Sequence, residues 1–441
     1  MRFQAFPRQL ACLLLAATLG ACGGGATPSS SSASNSSTSA ASGSGTATPD
    51  ATASITVESP KLVTLAGNVA LKGLGEALVV GERIVVLSAS DAEITLNKKQ
   101  VHPRTRLSVL DKDGTLLTST DYGFTLADGY VGEWLLLPAP DGFMMLQAGP
   151  GTRMLKFDTQ ARLQGSAVDL YPVVASTSTT ELAAAENAAS VDGNGFWLAT
   201  TFSLLPINDK TQYLLKLCKY DFSGRQLTPP FEIALSAVKP RVATSNGTVL
   251  TTWLDGSTAM LAIWPKGLGA PVIHSLGTGG AEPLPVALDG NGKMGAIWNG
   301  KATFTSPGGV MGVALDKNGV AVLPTGRTEL GQEVLSTQWA ASGRAPFIDA
   351  RLYKNNLLLA DVGVGTYASG EAQGDVLVLA DYGIGTAPLS EQKATIKRLR
   401  LYGGALVMGN YPVLRQLMFS DHSLLLVGDE YHLEVFRITR Q

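Results

Sequence analysis

The sequence has few of the residues that usually carry chemistry. It holds four histidines and three cysteines among 441 residues, and charged side chains make up only 16% of it. Cys12 and Cys22 lie close to the start, so Cys218 stands alone in the remainder and no disulfide is expected there. We expect Cys218, within the apolar-rich segment LLKLCKYDF, to pack in a core and not to act as a nucleophile.

Long apolar runs and a basic surplus are also missing. After residue 21 there is no run of about 18 apolar residues, so no transmembrane helix is predicted there. Basic residues number 34 against 36 acidic ones, and without Arg2 and Arg8 the 32 that remain give a net charge near −4. Nucleic-acid-binding proteins normally carry a basic excess or stripe, and we therefore expect no nucleic-acid partner.

Familiar catalytic and cofactor motifs are absent as well. There is no GxSxG, no Walker loop and no GxGxxG that follows a strand and opens a helix. His102, His274, His422 and His432 are isolated from one another, and each is interpreted as a surface or hydrogen-bonded structural residue. We predict no catalytic residue, no cofactor and no metal site, and an enzyme is the less favoured interpretation.

The first 21 residues have the pattern of a targeting segment. Arg2 and Arg8 precede the apolar run LACLLLAATLGA, which is too short to span a bilayer and ends at Leu19-Gly20-Ala21-Cys22. This segment resembles the lipobox of bacterial lipoproteins; the alternative is an ordinary signal peptide with a chance cysteine. The resemblance implies cleavage before Cys22 and lipidation of Cys22 by several acyl chains. Gly23 follows, and the absence of aspartate there implies the outer membrane in Gram-negative lipoproteins.

Residues 22–54 consist mostly of Gly, Ser, Thr and Ala. With almost no large apolar side chain, this segment cannot bury enough surface to offset its ordering entropy. We expect a disordered tether with a root-mean-square reach on the order of 30 Å. It would hold a folded domain, residues 55–441, near the membrane.

The composition of residues 55–441 predicts an all-β domain, because short apolar runs alternate with turn sequences. The best helical candidate, ELAAAENAA at 181–189, is short. One recurring turn precedes an apolar strand, at Gly81-Glu82, Asp141-Gly142, Asn194-Gly195, Asn246-Gly247, Asn291-Gly292, Asn355-Asn356 and His422-Ser423. A second begins with Asp after an alternating strand, at LDKDG (110–114), FDTQA (157–161), YDFSG (220–224) and LDKNG (315–319).

A repeat of about 50 residues that holds two hairpins is typical of a β-propeller blade. We therefore predict a β-propeller of seven four-stranded blades, with six or eight as alternatives because residues 398–441 are poorly marked. Val286–Trp298 also resembles the degenerate turn–strand–Trp repeats of bacterial secreted and lipoprotein propellers. A pair of β-sandwiches and a β-solenoid are the rival folds, but the unit is too long for a solenoid coil and the turns recur too often for sandwiches.

Two sets of residues invite a ligand interpretation. Asp111, Asp289 and Asp316 begin D-x-[DN]-G segments, but the later oxygen ligands of a calcium loop are missing after Asp111 and Asp316, so structural turns are favoured. Six tryptophans recur at strand positions, and packing between blades is favoured over stacking on a sugar or cofactor. They are Trp134, Trp197, Trp253, Trp264, Trp298 and Trp339. The AxDxxTGxxxW repeat of quinone-dependent propellers and the sialidase SxDxGxTW motif do not occur.

A near-repeat in the sequence could also be interpreted as a ligand site. LLLADVGVGT (357–366) and LVLADYGIGT (377–386) each carry an aspartate, Asp361 or Asp381, before two glycines. A paired metal or phosphate site would need more carboxylates or a following helix. We instead predict two neighbouring strands of one blade, whose glycines allow a twist or bulge.

Together, these expectations describe a non-catalytic cell-envelope lipoprotein that is anchored by lipid in a bacterial membrane, most simply the outer membrane. Its propeller loop faces would serve as a binding or assembly scaffold for an envelope protein or a glycan. A structural subunit of a secretion or pilus assembly would differ only in its partner. The alternative is a propeller hydrolase or lyase acting on a sugar or lactone in the central channel, which would need acids and bases from several blades to converge.

Overall fold

The described part of the chain is built from β-strands. In the computed structural model the described residues are 55–63, 74–90, 94–96, 99–101, 104–122, 134–147, 152–171, 181–204, 213–265, 269–278, 283–287, 294–299, 310–315, 328–329, 347–353, 356–365, 374–383, 395–400, 413–428 and 433–440. No helix within these ranges is long and apolar enough to cross a membrane.

The strands are numbered in chain order and grouped by sheet. The first two, β1 (Ile55–Val57) and β2 (Lys61–Val63), join the last sheet. Sheet I contains β3 (Leu74–Val80), β4 (Arg83–Ser90), β7 (Arg104–Asp111) and β8 (Leu116–Tyr122), with the hairpin β5 (Ile94–Leu96) and β6 (Lys99–Val101) between β4 and β7. Sheet II contains β9 (Trp134–Ala139), β10 (Gly142–Gln147), β11 (Thr152–Asp158) and β12 (Leu163–Tyr171). Sheet III contains β13 (Glu181–Asp192), β14 (Gly195–Leu204), β15 (Tyr213–Asp221) and β16 (Phe231–Leu235).

The later sheets follow the same order. Sheet IV contains β17 (Ala237–Ser245), β18 (Thr248–Asp255), β19 (Thr258–Trp264) and β20 (Val272–Thr278). Sheet V contains β21 (Leu284–Ala287), β22 (Met294–Asn299), β23 (Val310–Leu315) and β24 (Thr328–Glu329). Sheet VI contains β25 (Phe347–Tyr353), β26 (Asn356–Gly365), β27 (Gly374–Gly383) and β28 (Thr395–Arg400). Sheet VII contains β29 (Val413–Met418), β30 (Ser423–Gly428) and β31 (Leu433–Arg440), together with β1 and β2.

The contacts between sheets follow their order along the chain. The first strand of each sheet contacts the first strand of the next, from β3 to β9, β13, β17, β21, β25 and β29, and β29 contacts β3 again. Within each sheet the strands then follow outward as antiparallel neighbours. First strands that meet in a closed series, with successive strands outside them, are the arrangement of a β-propeller. The predicted all-β propeller is confirmed.

Sheet VII is assembled from both ends of the domain. Its outer positions are taken by β1 and β2, which both pair with β31, from Ile55 opposite Arg440 to Val63 opposite Leu433. Main-chain hydrogen bonds therefore join the beginning of the domain to its last strand. This pairing also covers the edge that β31 would otherwise expose.

The hydrophobic cores lie between neighbouring sheets. Trp197 of sheet III and Trp253 and Trp264 of sheet IV share one such core and are almost fully buried. Their predicted role in packing between sheets is confirmed. Trp339, and the side chains of Trp134 and Trp298, lie outside the described residues.

The predicted helical candidate at 181–189 is wrong, because this segment is part of strand β13. The strand pairs with β14 from Glu181 opposite Leu204 to Asp192 opposite Gly195, and β9 and β17 flank it. Alanine and glutamate favour helices only by tenths of a kcal/mol per residue, which main-chain pairing and packing on both sides readily override.

The near-repeat at 357–386 forms a hairpin of neighbouring strands, as predicted. β26 and β27 are antiparallel, with Asp361 opposite Val378 and Asp381 opposite Leu358. The two aspartates are therefore not cross-strand partners. No register shift interrupts the pair from Asn356 to Gly365, so the expected bulge is not found in this hairpin; Gly385 lies outside the described residues.

Candidate functional site

The first strands of the sheets start at one end of the ring and finish at the other, which gives the ring two different ends. We call the end where they finish the turn end, since the following strand returns after a short turn. Within the described residues, four of these turns consist of two residues each: Gly81-Glu82, Pro140-Asp141, Gly193-Asn194 and Asn246-Gly247. We call the opposite end, where the first strands begin, the loop end. The predicted turns are confirmed at these four places, two of them displaced by one residue.

Three aspartates organise the second kind of turn, also at the turn end. Oδ1 of Asp111, Asp158 and Asp221 each accepts two backbone N–H groups, from the residues two and four positions later, at 2.7–3.0 Å. The residue three positions later has positive φ: Gly114 (78°), Ala161 (60°) and Gly224 (91°). These carboxylates serve the turn itself, as predicted. The segments that begin at Asp289 and Asp316 lie outside the described residues.

Asp221 has the most elaborate of these turns. Burial acts to raise the pKa of its carboxyl, but hydrogen bonds from the Ser223 hydroxyl, from the Arg225 and Ser223 backbone N–H groups and from the Arg225 side chain outweigh it and lower the pKa to about 2. The Ser223 hydroxyl lies 2.6 Å from Oδ1, and Arg225 Nε lies 3.0 Å from Oδ2. Asp221 is therefore an ionised structural acceptor at neutral pH and a poor proton donor.

Each of these turns also lies against the preceding sheet. A Cβ added to Gly114 of sheet I would meet Val435 of sheet VII at 2.9 Å, and one added to Gly224 of sheet III would meet Val168 of sheet II at 2.8 Å. Between them, the Tyr122 hydroxyl of sheet I donates to the Ala161 carbonyl of sheet II. The aspartate turns are thus repeated contacts between neighbouring sheets.

The junction of sheets VII and I, which we call the closing seam, has a denser set of polar contacts. His422 is fully buried, with Nδ1 2.8 Å from Asp421 Oδ1 and Nε2 3.0 Å from the Lys112 carbonyl oxygen. Its ring stacks on Phe419 with centroids 4.7 Å apart. Arg437 of β31 binds Asp113 of the sheet I turn. The interpretation of His422 as a hydrogen-bonded structural residue is confirmed; His274 lies on β20, and His102 and His432 lie outside the described residues.

The loop end carries two charge pairs that join first strands of neighbouring sheets. Arg415 of β29 binds Glu76 of β3 through Nη2 at 2.8 Å and Nε at 3.1 Å. Lys239 of β17 binds Glu186 of β13 through Nζ at 3.3 Å and through its backbone N–H. Lys239 has a φ of 57° at a register shift of β17, and the Glu186 carboxylate holds this unusual backbone in place.

The two pairs are contacts between neighbouring sheets. Each glutamate binds a cation from the next sheet, an arrangement that fixes two strands together. Within the described ranges, no group of three or more His, Cys, Asp or Glu side chains is placed to hold a metal ion. Cys218 is fully buried and its thiol donates to the Thr228 carbonyl at 3.0 Å. Burial raises the pKa of the Cys218 thiol, which fits the predicted packed core residue.

Some of the predicted sites lie outside the described residues. Cys22, the predicted lipidation site, and residues 1–54 as a whole lie outside the described residues. The two loop-end charge pairs were not predicted, because their partners are separated by 339 and 53 positions along the chain. For Glu76, the available signal was a charged residue within the otherwise apolar strand LGEALVV, whereas β13 and β17 contain several charged residues and gave no such signal.

No family model and no curated protein matches the sequence. Among solved structures, the Dos1 propeller is 8% identical with a TM-score of 0.49, over 86% of this chain and 94% of that one. YCF48 from Cyanidioschyzon merolae is 10% identical with a TM-score of 0.46, over 86% and 98%. Trypanosoma rangeli sialidase in complex with the inhibitor DANA is 11% identical with a TM-score of 0.44, over 87% and 59%. These likenesses are distant, and the propeller assignment rests on the strand order of the sheets.

Proposed function

We propose that this protein is a lipid-anchored, non-catalytic scaffold of a bacterial cell envelope, whose seven-bladed propeller binds an envelope protein or a glycan at its loop end. The blade number is inferred from sheets I–VII, whose first strands contact one another in a closed series. The anchor is inferred from the lipobox-like Leu19-Gly20-Ala21-Cys22. The outer membrane is its proposed location, since Gly23 and not aspartate follows the cysteine.

One observation carries the choice of a scaffold over an enzyme. The described carboxylates on the first strands at the loop end, Glu76 and Glu186, are bound to cations of the neighbouring sheet. At the turn end, Asp111, Asp158 and Asp221 are bound to backbone N–H groups of their own turns. These acidic groups therefore stabilise the ring, and a hydrolase or lyase needs acids and bases that are placed for a substrate.

The loop end is the proposed binding surface because the chain enters the ring at the other end. Ile55, the first described residue, pairs with Arg440, the last described residue of β31, which finishes at the turn end. The described chain therefore begins at the turn end. The loop end is the opposite end of the ring, and we propose its loops as the surface that meets partners.

Site-specific photocrosslinking in intact cells tests the binding surface. Leu235 is 57% exposed and ends β16 at the loop end, whereas Asn194 is exposed in the turn between β13 and β14 of the same sheet. A photoreactive residue at position 235 should give a discrete crosslinked product that position 194 does not give. Equal capture at both positions would contradict the assignment of the binding face.

Two further measurements test the anchor and the absence of catalysis. Cys22→Ser should move the protein from the membrane to the soluble fraction, and retention in the membrane would contradict lipidation at Cys22. The purified full chain should leave fluorogenic glycosides and lactones intact. Turnover that Glu186→Gln abolishes, with the fold retained, would favour the hydrolase or lyase alternative.

A further inference from the structure

Exposed apolar side chains recur along one rim of the ring. Among the described residues, seven large apolar side chains are exposed, and most of them lie near the start of the outermost strands of sheets I, II, III and IV. Those strands start at the turn end. The members of this group, which we call the turn-end rim, are Leu117 (52% exposed), Leu163 (41%), Leu227 (37%), Val272 (38%) and Ile273 (48%).

The strand pairing places these residues at one level of the ring. Leu117 and Leu163 are among the first two residues of β8 and β12. The Leu227 N–H donates to the Lys219 carbonyl at 2.7 Å, directly after the aspartate turn of sheet III. Val272 is the first residue of β20. Each rim residue therefore lies where an outermost strand leaves the turn end.

The recurrence distinguishes the rim from ordinary exposed leucines. A single exposed leucine needs no special explanation, because much of any protein surface is apolar. Here the same place in four successive sheets is apolar and exposed. The other two exposed leucines lie toward the loop end: Leu235 ends β16, and Leu62 pairs with Glu434 near the start of β31.

The charged side chains beside Leu117 and Leu227 are paired within the protein. Lys112 Nζ lies 3.7 Å from Glu82 Oε2, and the Arg225 side chain binds the Asp221 carboxylate at 3.0 Å. Such a surface suits the boundary between the headgroups and the acyl chains of a bilayer, where apolar side chains enter the apolar layer and charged ones stay in water.

The proposed lipid anchor brings a bilayer close to this end of the ring. Ile55, the first described residue, pairs with Arg440 at the turn end. Residues 22–54 separate Ile55 from Cys22, the proposed site of lipidation, and their root-mean-square reach is on the order of 30 Å. An anchor at Cys22 keeps the bilayer within roughly this distance of the turn end, so the inference that follows rests on the proposed anchor.

We propose that the turn-end rim docks on the bilayer that holds the lipid anchor, with its apolar side chains inserted at the level of the headgroups. Removal of one half-exposed leucine side chain from water favours the docked state about fivefold. Leu117, Leu163 and Leu227 together favour it on the order of a hundredfold. The anchor raises the local concentration of membrane surface, which allows a contact of this modest strength to form.

Fluorescence quenching of the full lipidated chain in phosphatidylcholine vesicles tests the docking. Cys218 is fully buried, so a cysteine introduced on the surface can be labelled selectively with an environment-sensitive fluorophore. A label at Ile273→Cys should be quenched several-fold more strongly by doxyl-labelled phosphatidylcholine than a label at Leu235→Cys. Position 235 is the matched control, because it is an equally exposed apolar position at the loop end.

A combined variant tests whether the leucines of the rim carry the contact. Leu117→Ser, Leu163→Ser and Leu227→Ser in one chain should remove most of the quenching at position 273, because the docked state loses its apolar contribution. Leu62→Ser, which changes an exposed leucine outside the rim, should leave this quenching at the level of the unsubstituted rim.

The possible results separate the docking from the anchor. Equal quenching at positions 273 and 235, in vesicles that retain the chain on flotation, would overturn the docking and leave the anchor intact. Quenching at position 273 that persists in the combined variant would overturn it as well. Shielding of position 273 from a soluble quencher without quenching by the lipid would assign the rim to a protein contact instead. A chain that does not float with the vesicles would contradict lipidation at Cys22 and, with it, the docking.

Discussion

At the turn end, Asp111, Asp158 and Asp221 each bind the same two backbone N–H groups of their own turn, so one local motif recurs from sheet to sheet. At the loop end, the pairs Glu76–Arg415 and Glu186–Lys239 join strands that are far apart in sequence. Outside the closing seam, the turn end is therefore stabilised by short-range turn geometry that leaves few alternative conformations. The loop end depends on side chains that are matched at particular junctions, which leaves its surface free to vary.

Two glycines at the turn end should give the largest effect. A Cβ on Gly195 would meet the Tyr220 carbonyl oxygen at 2.0 Å, and one on Gly142 would meet that of Phe157 at 2.1 Å. Both oxygens belong to backbone that leads into an aspartate turn and cannot move without breaking the sheet. Gly195→Ala and Gly142→Ala should each lower the free energy of unfolding by about 3 kcal/mol or more, measured by urea denaturation.

Gly269→Ala is the control for these variants, because nothing lies within 4 Å of its added Cβ and its φ is not positive. It should change the free energy of unfolding by less than about 0.5 kcal/mol. A similarly small change in the unfolding free energy of Gly195→Ala would contradict the close approach of Gly195 to the Tyr220 carbonyl oxygen.

Asp221→Asn should give the next largest loss of unfolding free energy, and the size of this loss should depend on pH. The charged acceptor is replaced by a neutral one, which should cost about 1–2 kcal/mol of unfolding free energy at pH 7. The folded pKa of about 2 lies below the ordinary value of 3.8, so the contribution of the carboxylate is present above pH 3.8 and is lost as the pH falls toward 2. The wild type and the variant should therefore converge in urea midpoint at low pH.

The exposed carboxylate of Asp141 is the reference for this comparison. Asp141→Asn should leave the midpoint close to the wild-type value at every pH between 3 and 7. A gap between wild type and Asp221→Asn that stays constant over this range would mean that the hydrogen bonds of the turn do not favour the ionised carboxyl.

At the loop end, the coupling between Glu76 and Arg415 should be smaller. Both side chains are partly exposed, at 22% and 28%, and solvent screens the pair. A double-mutant cycle with Glu76→Gln and Arg415→Gln should give a coupling energy of about 1 kcal/mol, which reflects the two-pronged geometry.

The same cycle for Arg153 and Asp169, which are more exposed and 3.4 Å apart, should give a value near zero. Equal coupling in the two cycles would remove the distinction between a pair that joins two sheets and a pair on the surface of one sheet. High salt should reduce the first value and leave the second unchanged within error.

The contrast between the two ends also explains what the sequence could predict. The aspartate turns and the hairpin at 357–386 depend on residues a few positions apart, so their sequences are sufficient to place them. The alanine-rich segment at 181–189 was misassigned because pairing with β14 outweighs its local preference. The Glu76–Arg415 pair and the contact of His422 with Lys112 depend on closure of the ring, which brings together residues up to 339 positions apart. The Glu186–Lys239 pair depends on the packing of sheet III against sheet IV.

The smallest effect is expected where one aspartate turn departs from the others in sequence but not in geometry. Ala161 has a φ of 60° where Gly114 and Gly224 stand in the equivalent turns. Ala161→Gly should relieve about 1 kcal/mol of backbone strain and should lose about 0.8 kcal/mol of stabilisation from the buried methyl group. Because these two contributions nearly cancel, the free energy of unfolding should change by less than about 0.5 kcal/mol. The reverse change, Gly114→Ala, adds both the strain and a 2.9 Å contact with Val435 and should destabilise clearly. If both substitutions were neutral, the positive φ would not be a constraint of these turns, and their shared geometry would rest on the aspartate alone.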